Sequence, residues 1–563
     1  MFALSTRAGF VDAGILIVAL LSLAALFLKV VDTRRIVAQI DASYREALNS
    51  SRMLRVAALP VAALLWIYAI APPRDGDVMR YHLAHIRQII ADGRWEGIPD
   101  YHYAFPFGST LNYLPFERLH LPQSAALVNV GLWLVIVAGL LRLARHTRVP
   151  RAAQLATVLF FVHPFVMRTF ASAMADAYAI LVVFAIALFF FRVEDNAANA
   201  MLLGFVCWIG AQSRYQLVAW GMAGTAIAVF HFSRQGSGRN LKRFGLGAAA
   251  ALVLGAPFYI ANWQDFRNPF WPLLVPSLNG TATYPDRVAA SYSAAMIGSH
   301  DPSYMLGQLW DLVTSVPIAP LAIILPLIIL LSIRASDQRF RRVSALGLFF
   351  LLLWILMEPK LFPRHVLLLL PLGAILFVPA MGGPLLRERI GRGVEQLLGA
   401  AVVLLIIASA VLSLDYARYA VTGDKAAFHR FTWYYDVYDW VNRSIPTNAR
   451  VLVVTYSGHS YYLDRPYRRA DPWLSGVVDW PQIASADDMV TMLDKQGYSY
   501  VIYDDRQWGS FPGGTEMESA VKSAVKQGLL VPVHQTRERL YTSRVKREFV
   551  DTNVYVFRVV PHA

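Results

Sequence analysis

The chain has 563 residues, of which 56% are hydrophobic and only 16% charged, with a mean hydropathy of +0.43. These values exclude an ordinary soluble protein. Repeated apolar runs of roughly 18 residues or more read instead as a polytopic membrane protein of helices, because lipid offers backbone groups no outside partner. The net charge of +14 does not indicate nucleic acid, since the basic residues gather in short loops between apolar runs, where they set orientation. A single cysteine, Cys207, excludes an intrachain disulfide and a cysteine metal site.

The first apolar run, 12–29, resembles a signal peptide, but its basic residues follow it (Lys29, Arg34, Arg35) and no small-residue cleavage site is evident. It is expected to be a retained span with its N-terminus away from the cytosol. Basic segments at Arg34–Arg55, Arg142–Arg151, Arg234–Arg243, Arg334–Arg342 and Arg387–Arg392 are assigned to the cytosol. Spans then thread near 12–29, 55–72, 123–142, 153–170, 177–193, 198–212, 215–232, 244–261, 311–333, 343–357, 362–380 and 396–414. The expected fold class is therefore an α-helical polytopic membrane protein of about twelve transmembrane helices. The polar segments of chemical interest all fall on the non-cytosolic side: loop 73–122, the turns at Asp176 and Arg214, loop 262–310 and the turn 358–365.

In loop 73–122, Met79, Leu83, Ile86 and Ile90 recur at helical spacing while Arg80, Arg87 and Arg94 lie off that stripe. The pattern predicts an amphipathic helix in the membrane interface. From about residue 415 the chain becomes polar. Val451–Val454, Tyr500–Tyr503 and Val554–Phe557 read as strands, and Ser485–Gln496 and Met517–Gln527 as helices, the first N-capped by Ser485. Residues 1–419 are thus a membrane domain, and 420–563 a non-cytosolic α/β domain.

Asp75-Gly76-Asp77 opens the large loop. An aspartate before a helix caps free N–H groups; at the water–lipid boundary it can also take a proton from an attacking hydroxyl. The same two readings hold for Asp176 at the start of the fifth span, where a carboxylate near hydrocarbon is costly and often functional. Lys360, Arg364 and His365 share a turn at a helix start, with Arg364 offering a donor fork suited to phosphate and Lys360 a point charge. Their alternative is interfacial snorkelling. Arg214 and Arg267 are further phosphate candidates. Tyr101, Tyr103, Trp263, Trp271, Trp433, Tyr434 and Tyr435 are either an interfacial aromatic belt or surfaces for stacking sugar rings.

The chain resembles the polytopic glycosyltransferases of the GT-C fold, which include protein O-mannosyltransferases and bacterial aminoarabinose transferases. The resemblance rests on Asp77 followed by Tyr81-His82-Leu83, on Asn268-Pro269-Phe270-Trp271-Pro272, on Pro363-Arg364-His365-Val366 running to Pro371, on Asp176, and on Tyr461-Tyr462-Leu463-Asp464-Arg465-Pro466. His365 stands where the family usually has Tyr. The resemblance implies a hexosyl- or pentosyltransferase taking a sugar from a polyprenyl-phosphate donor, with inversion, on the external face of a bacterial inner membrane. It implies Asp77 as general base with Asp75 or Asp176 assisting, Arg364 holding the lipid phosphate, and Tyr81 and His82 at the substrate. The acceptor is a saccharide, lipid or protein. A cofactor is not expected; some members of the fold use a divalent cation, which is possible here but not favoured. A transporter or flippase of lipid-linked saccharides is the alternative, and a scaffold with a ligand-binding C-terminal domain is a third reading. The acidic residues at span ends and the lack of an internal repeat favour the transferase.

Overall fold

A computed structural model describes residues 33–561 apart from 96, 148–149, 193–196, 276–282, 298–300, 315–318, 335–336, 358–362, 381–387, 431, 457–458 and 544–547. The expected first span lies outside the described residues. Helices occupy every other expected span. Four are long and apolar enough to cross a bilayer: Arg52–Ile70, Pro122–Ala144, Gly238–Phe266 and Gly393–Leu412. Pro150–Phe161 and Pro164–Phe170, bent by 69° at their junction, meet the same test together; of the six other expected spans, four coincide with shorter apolar helices and two with Gln216–Arg234 and Gln338–Met357. Ser51 starts the first of these spans, its hydroxyl accepting from the Leu54 N–H, which satisfies one of the donors a helix start leaves open. One large apolar core joins the helices, including Trp133, Phe161, Trp220, Phe350 and Leu370.

The C-terminal unit carries a five-stranded sheet in the order β2-β1-β3-β5-β4, with β1 Arg450–Val454, β2 Tyr467–Arg469, β3 Tyr498–Asp504, β4 Leu530–Ser543 and β5 Glu548–Val559. β1 pairs parallel with β2 and β3, while β5 runs antiparallel to both β3 and β4. Strand alternation sends Leu452, Val454 and Val501 to one face, against helices Ala486–Lys495 and Gly514–Lys526. It sends Val451, Val453 and Ile502 to the other, against Tyr435–Ser444. Ser485 caps its helix as expected, accepting from the Asp488 N–H at 3.1 Å. The long β4–β5 hairpin was not anticipated: β4 reads LVPVHQTRERLYTS, a half-exposed polar strand without a β-branched run.

The large loop turns its apolar stripe into the protein. Its helix, Leu83–Asp92, buries Leu83, Ala84, Ile86 and Ile89 within the protein. Part of the stripe packs with Trp95, Phe107 and Phe258, and part with Tyr113 and Tyr461. The off-stripe arginine Arg87 reaches the C-terminal unit, pairing with Asp464 at 2.6 Å and donating to the Tyr461 carbonyl. The Tyr462 hydroxyl donates to the Pro73 carbonyl at 2.6 Å. Further along, Asp100 bridges to Ser475, and buried Arg469 contacts both Asp100 (3.2 Å) and Asp471 (3.4 Å). The face that covers the stripe comes from the rest of the loop, the helical domain and Tyr461 of the C-terminal unit.

Candidate active site

The loop enters its helix through a π-turn, Val78–His82, closed by the Leu83 N–H on the Val78 carbonyl. Such wide turns are uncommon and recur at functional sites. Asp77 is the half-buried residue at its mouth, and its side chain makes no capping bond to the turn. Gly76 packs against the C-terminal unit, where a Cβ would meet His459 Nε2 at 2.9 Å and push that ring aside. The Asp-Gly-Asp segment therefore threads directly beneath the C-terminal unit.

Tyr81 and His82, one turn on from Asp77, line a cavity of about 580 Å³. Tyr81 stacks on His102 with ring centroids 4.5 Å apart and planes 3° from parallel. The Tyr292 hydroxyl lies 3.4 Å from His102 Nε2, with roles set by the tautomer. His85 stacks likewise on Tyr103 at 4.4 Å. Burial pushes the imidazoles of His82 and His85 down to about 3, and His102 down as well, so all three are neutral at physiological pH.

The opposite wall comes from the helical domain. Arg214, in the turn before helix Gln216–Arg234, pairs with Asp176 at 2.5 Å, and their side chains are only 10% and 4% exposed. Asp176 keeps its Oδ2 buried without a hydrogen-bond partner among the described residues. His365 and Trp354 complete this side, 5.9 Å apart between ring centroids. Gly108 brings the loop against this wall: its N–H donates to the Gln212 carbonyl at 2.8 Å, the distance a Cβ there would also reach.

The Asn-Pro-Phe-Trp-Pro segment frames the cavity mouth. The Trp271 carbonyl accepts from the Tyr215 hydroxyl and the Asn262 amide, both at 3.0 Å, and the indole donates to Asp286 at 3.1 Å. Asn268 ties Phe270 and Leu273 into one turn, which places Phe270, Leu273 and Leu274 along the cavity.

Of the residues singled out from the sequence, Tyr81, His82, Arg214 and His365 line one cavity, with Asp176 directly behind Arg214. Asp77 stands at the head of the turn that carries the first two and is not itself on the cavity wall. Asp75 faces elsewhere, pairing with Arg168 beside Tyr68 and Tyr416. Arg267 is exposed at the left-handed end of its helix, away from the cavity. Lys360 lies outside the described residues, and so does the Arg364 side chain. His102, Tyr292 and Ser213 were not singled out; the Tyr-His-Tyr run 101–103 was the available signal for His102. No group of three or more His, Cys, Asp or Glu side chains among the described residues is arranged to hold a metal ion.

No protein-family profile matches the chain, and no curated protein matches it in sequence. Solved structures do. ArnT from Cupriavidus metallidurans bound to undecaprenyl phosphate aligns with a TM-score of 0.53 at 14% identity, over 89% of this chain and 97% of that one. The same protein in its apo state gives 0.50 at 15% identity, over 90% and 98%. The fold is that of the GT-C glycosyltransferases. Arabinofuranosyltransferase AftD from Mycobacteria aligns over 91% of this chain and 40% of its own, at 16% identity and a TM-score of 0.44, a value too low to carry weight. The alignment covers 89% of the chain and so reaches into both the helical region and the C-terminal unit.

Proposed function

We propose that the protein is a membrane glycosyltransferase that moves a sugar, hexosyl or pentosyl, from a polyprenyl-phosphate donor to an acceptor hydroxyl. The observation that carries this reading is the cavity of about 580 Å³ on which a π-turn headed by Asp77 and a buried arginine–aspartate pair converge, within a fold shared with a protein bound to undecaprenyl phosphate.

The acceptor oxygen attacks the anomeric carbon as the bond from that carbon to the phosphate oxygen breaks, with inversion. The acceptor proton passes to the Asp77 carboxylate, and the electron pair leaves with the lipid phosphate. Arg214, with Arg364 and Lys360, holds the charge that grows on that phosphate in a site depleted of water. Asp176 fixes Arg214 and offers its second oxygen to a substrate hydroxyl. Asp75, paired with Arg168 away from the cavity, serves packing and not the chemistry. Tyr81 and His82 shape the donor site, the neutral imidazole adding no competing charge; Arg267 is left to an edge role. The two carboxylates seen to be paired are already committed to arginines, which favours chemistry without a divalent ion. The active site and C-terminal unit face outward from a bacterial inner membrane.

The test is a purified assay with a polyprenyl-phosphate sugar and chelator present. Wild type turns over, and Asp77→Asn loses transfer by at least about 100-fold while expression and detergent stability stay normal. An Asn variant with near wild-type rates removes the base. Wild-type activity that appears only when a divalent ion is restored removes the metal-free mechanism.

A further inference from the structure

A second cavity, of about 250 Å³, opens beside the first helix of the C-terminal unit. It lies where helix Arg52–Ile70 has just ended, at Pro72 and Pro73, and where helix Pro122–Ala144 begins. Both helices are long and apolar enough to cross a bilayer, so the cleft sits at the ends of two candidate membrane helices. Tyr461 separates it from the catalytic region: its ring packs with Val78, Met79 and Leu83 of the π-turn and following helix. The cleft is therefore close to the reacting site and distinct from it.

Its floor is aromatic. Tyr435 stacks on His429, with centroids 4.2 Å apart and planes 15° from parallel, and Tyr462 meets both edge-on at 5.2 and 4.7 Å. Its rim carries Gln123, Lys425 and Asp439, a mixed set of donors and acceptors. His429 is only 1% exposed, and burial pushes it down to about 3, so the ring is neutral. Its Nδ1 lies 3.1 Å from the Thr432 hydroxyl, whereas Nε2 has no hydrogen-bond partner among the described residues. That nitrogen is itself enclosed, so His429 serves the cleft by packing beneath Tyr435 and not as a hydrogen-bond partner for a ligand.

These features select a ligand chemistry. A lipid tail would strand the polar rim. Two carboxylates line the cleft against one cation, Lys425, and each is already paired with an arginine, Asp439 with Arg443 and Asp464 with Arg87, so the lining offers no net positive charge to hold an anion. A ring with apolar C–H faces and hydroxyls that both donate and accept satisfies the aromatic floor and the mixed rim together.

We propose that this cleft recognises a neutral sugar ring, and that the acceptor is itself a glycan gripped here at a distance from its reacting hydroxyl. The second half of that statement rests on the transferase reading; the first does not.

The full chain in nanodiscs of phosphatidylethanolamine and phosphatidylglycerol, without donor, is titrated with methyl glycosides of glucose, galactose, mannose and arabinose, and separately with the octyl glycosides in the bilayer. Saturation-transfer NMR is expected to show saturable transfer to the ring protons of at least one sugar. Tyr435→Ala weakens that binding about tenfold, and Asp77→Asn leaves it unchanged. Gln123→Ala serves where Tyr435→Ala does not fold. Binding of the methyl glycoside assigns the cleft to a free saccharide chain, and binding of the octyl form alone assigns it to a glycolipid headgroup. Absence of transfer from every probe, or binding indifferent to Tyr435 and Gln123, overturns the proposal. Turnover without cleft binding leaves the transferase standing and the cleft refuted; cleft binding without turnover of any polyprenyl-phosphate sugar does the reverse.

Discussion

Two aspartate–arginine pairs lie near helix ends of the membrane domain, and they differ in a way that exposure alone would misjudge. Asp176–Arg214 is the more buried, with side chains 4% and 10% exposed, yet it adjoins a cavity of about 580 Å³. Asp75–Arg168 is the more exposed, at 14% and 34%, and adjoins a crevice of only about 20 Å³. The neighbours differ too: tyrosines stand beside both pairs, but the imidazoles of His82, His85 and His102 are around the first alone. A charge pair serves chemistry when there is room beside it for a substrate and little water to screen it. The same pair beside a filled crevice holds helices together.

The largest expected effect breaks the first pair. Arg214→Gln removes a fixed charge from the cavity wall and leaves the Asp176 carboxylate buried without its counter-ion. We expect kcat/KM for the polyprenyl-phosphate donor to fall by about 100- to 1,000-fold, with the fall carried mainly by kcat. An unchanged kcat/KM would show that the cavity pair is structural and that the contrast with Asp75–Arg168 has no chemical meaning.

The second pair should respond in the opposite proportion. Asp75→Asn keeps the shape and removes the charge, in a site exposed enough that the loss of stability is only about 1 kcal/mol. A lower melting temperature in detergent, with turnover of the surviving protein largely retained, is the expected result. A kcat loss equal to that of Arg214→Gln would place both carboxylates in the chemistry and erase the distinction.

Much of this was legible before any coordinates. The helices fall where the apolar runs put them, because in a bilayer composition and length nearly determine the element. In the C-terminal unit, β1, β3 and β5 each announce themselves by β-branched and aromatic runs, and Ser485 by its capping position. What stayed hidden depends on contacts between distant segments. The π-turn at Val78–His82 has no local signature. Arg168 looked like the end of a span, and only folding brings it to Asp75, 93 residues earlier. The stripe on Leu83–Asp92 was visible, but its partner was not: an amphipathic pattern states that a face will be covered, not by what. His102 and Tyr292 meet across 190 residues, beyond the reach of any spacing rule.

The smallest expected effect concerns a third acid–arginine contact, which tests how far burial without a close partner is tolerated. Glu117 lies between the loop and the C-terminal unit, accepting from the Tyr461 hydroxyl at 3.1 Å, with Arg87 only at 3.9 Å. Burial raises its carboxyl from 4.5 to about 7, against the opposing pull of Arg87 and Tyr461. The folded state therefore binds the proton more tightly than the unfolded chain. The stability this group contributes is full below about pH 4.5 and is lost as pH rises through about 7. Glu117→Gln mimics the protonated form at every pH. Its melting temperature should match wild type near pH 5 and exceed it near pH 8 by on the order of 2–4 °C. A variant less stable than wild type at the higher pH would mean that the ionised carboxylate is held firmly by Arg87 despite the distance. The contact would then belong with the two close pairs and not between them.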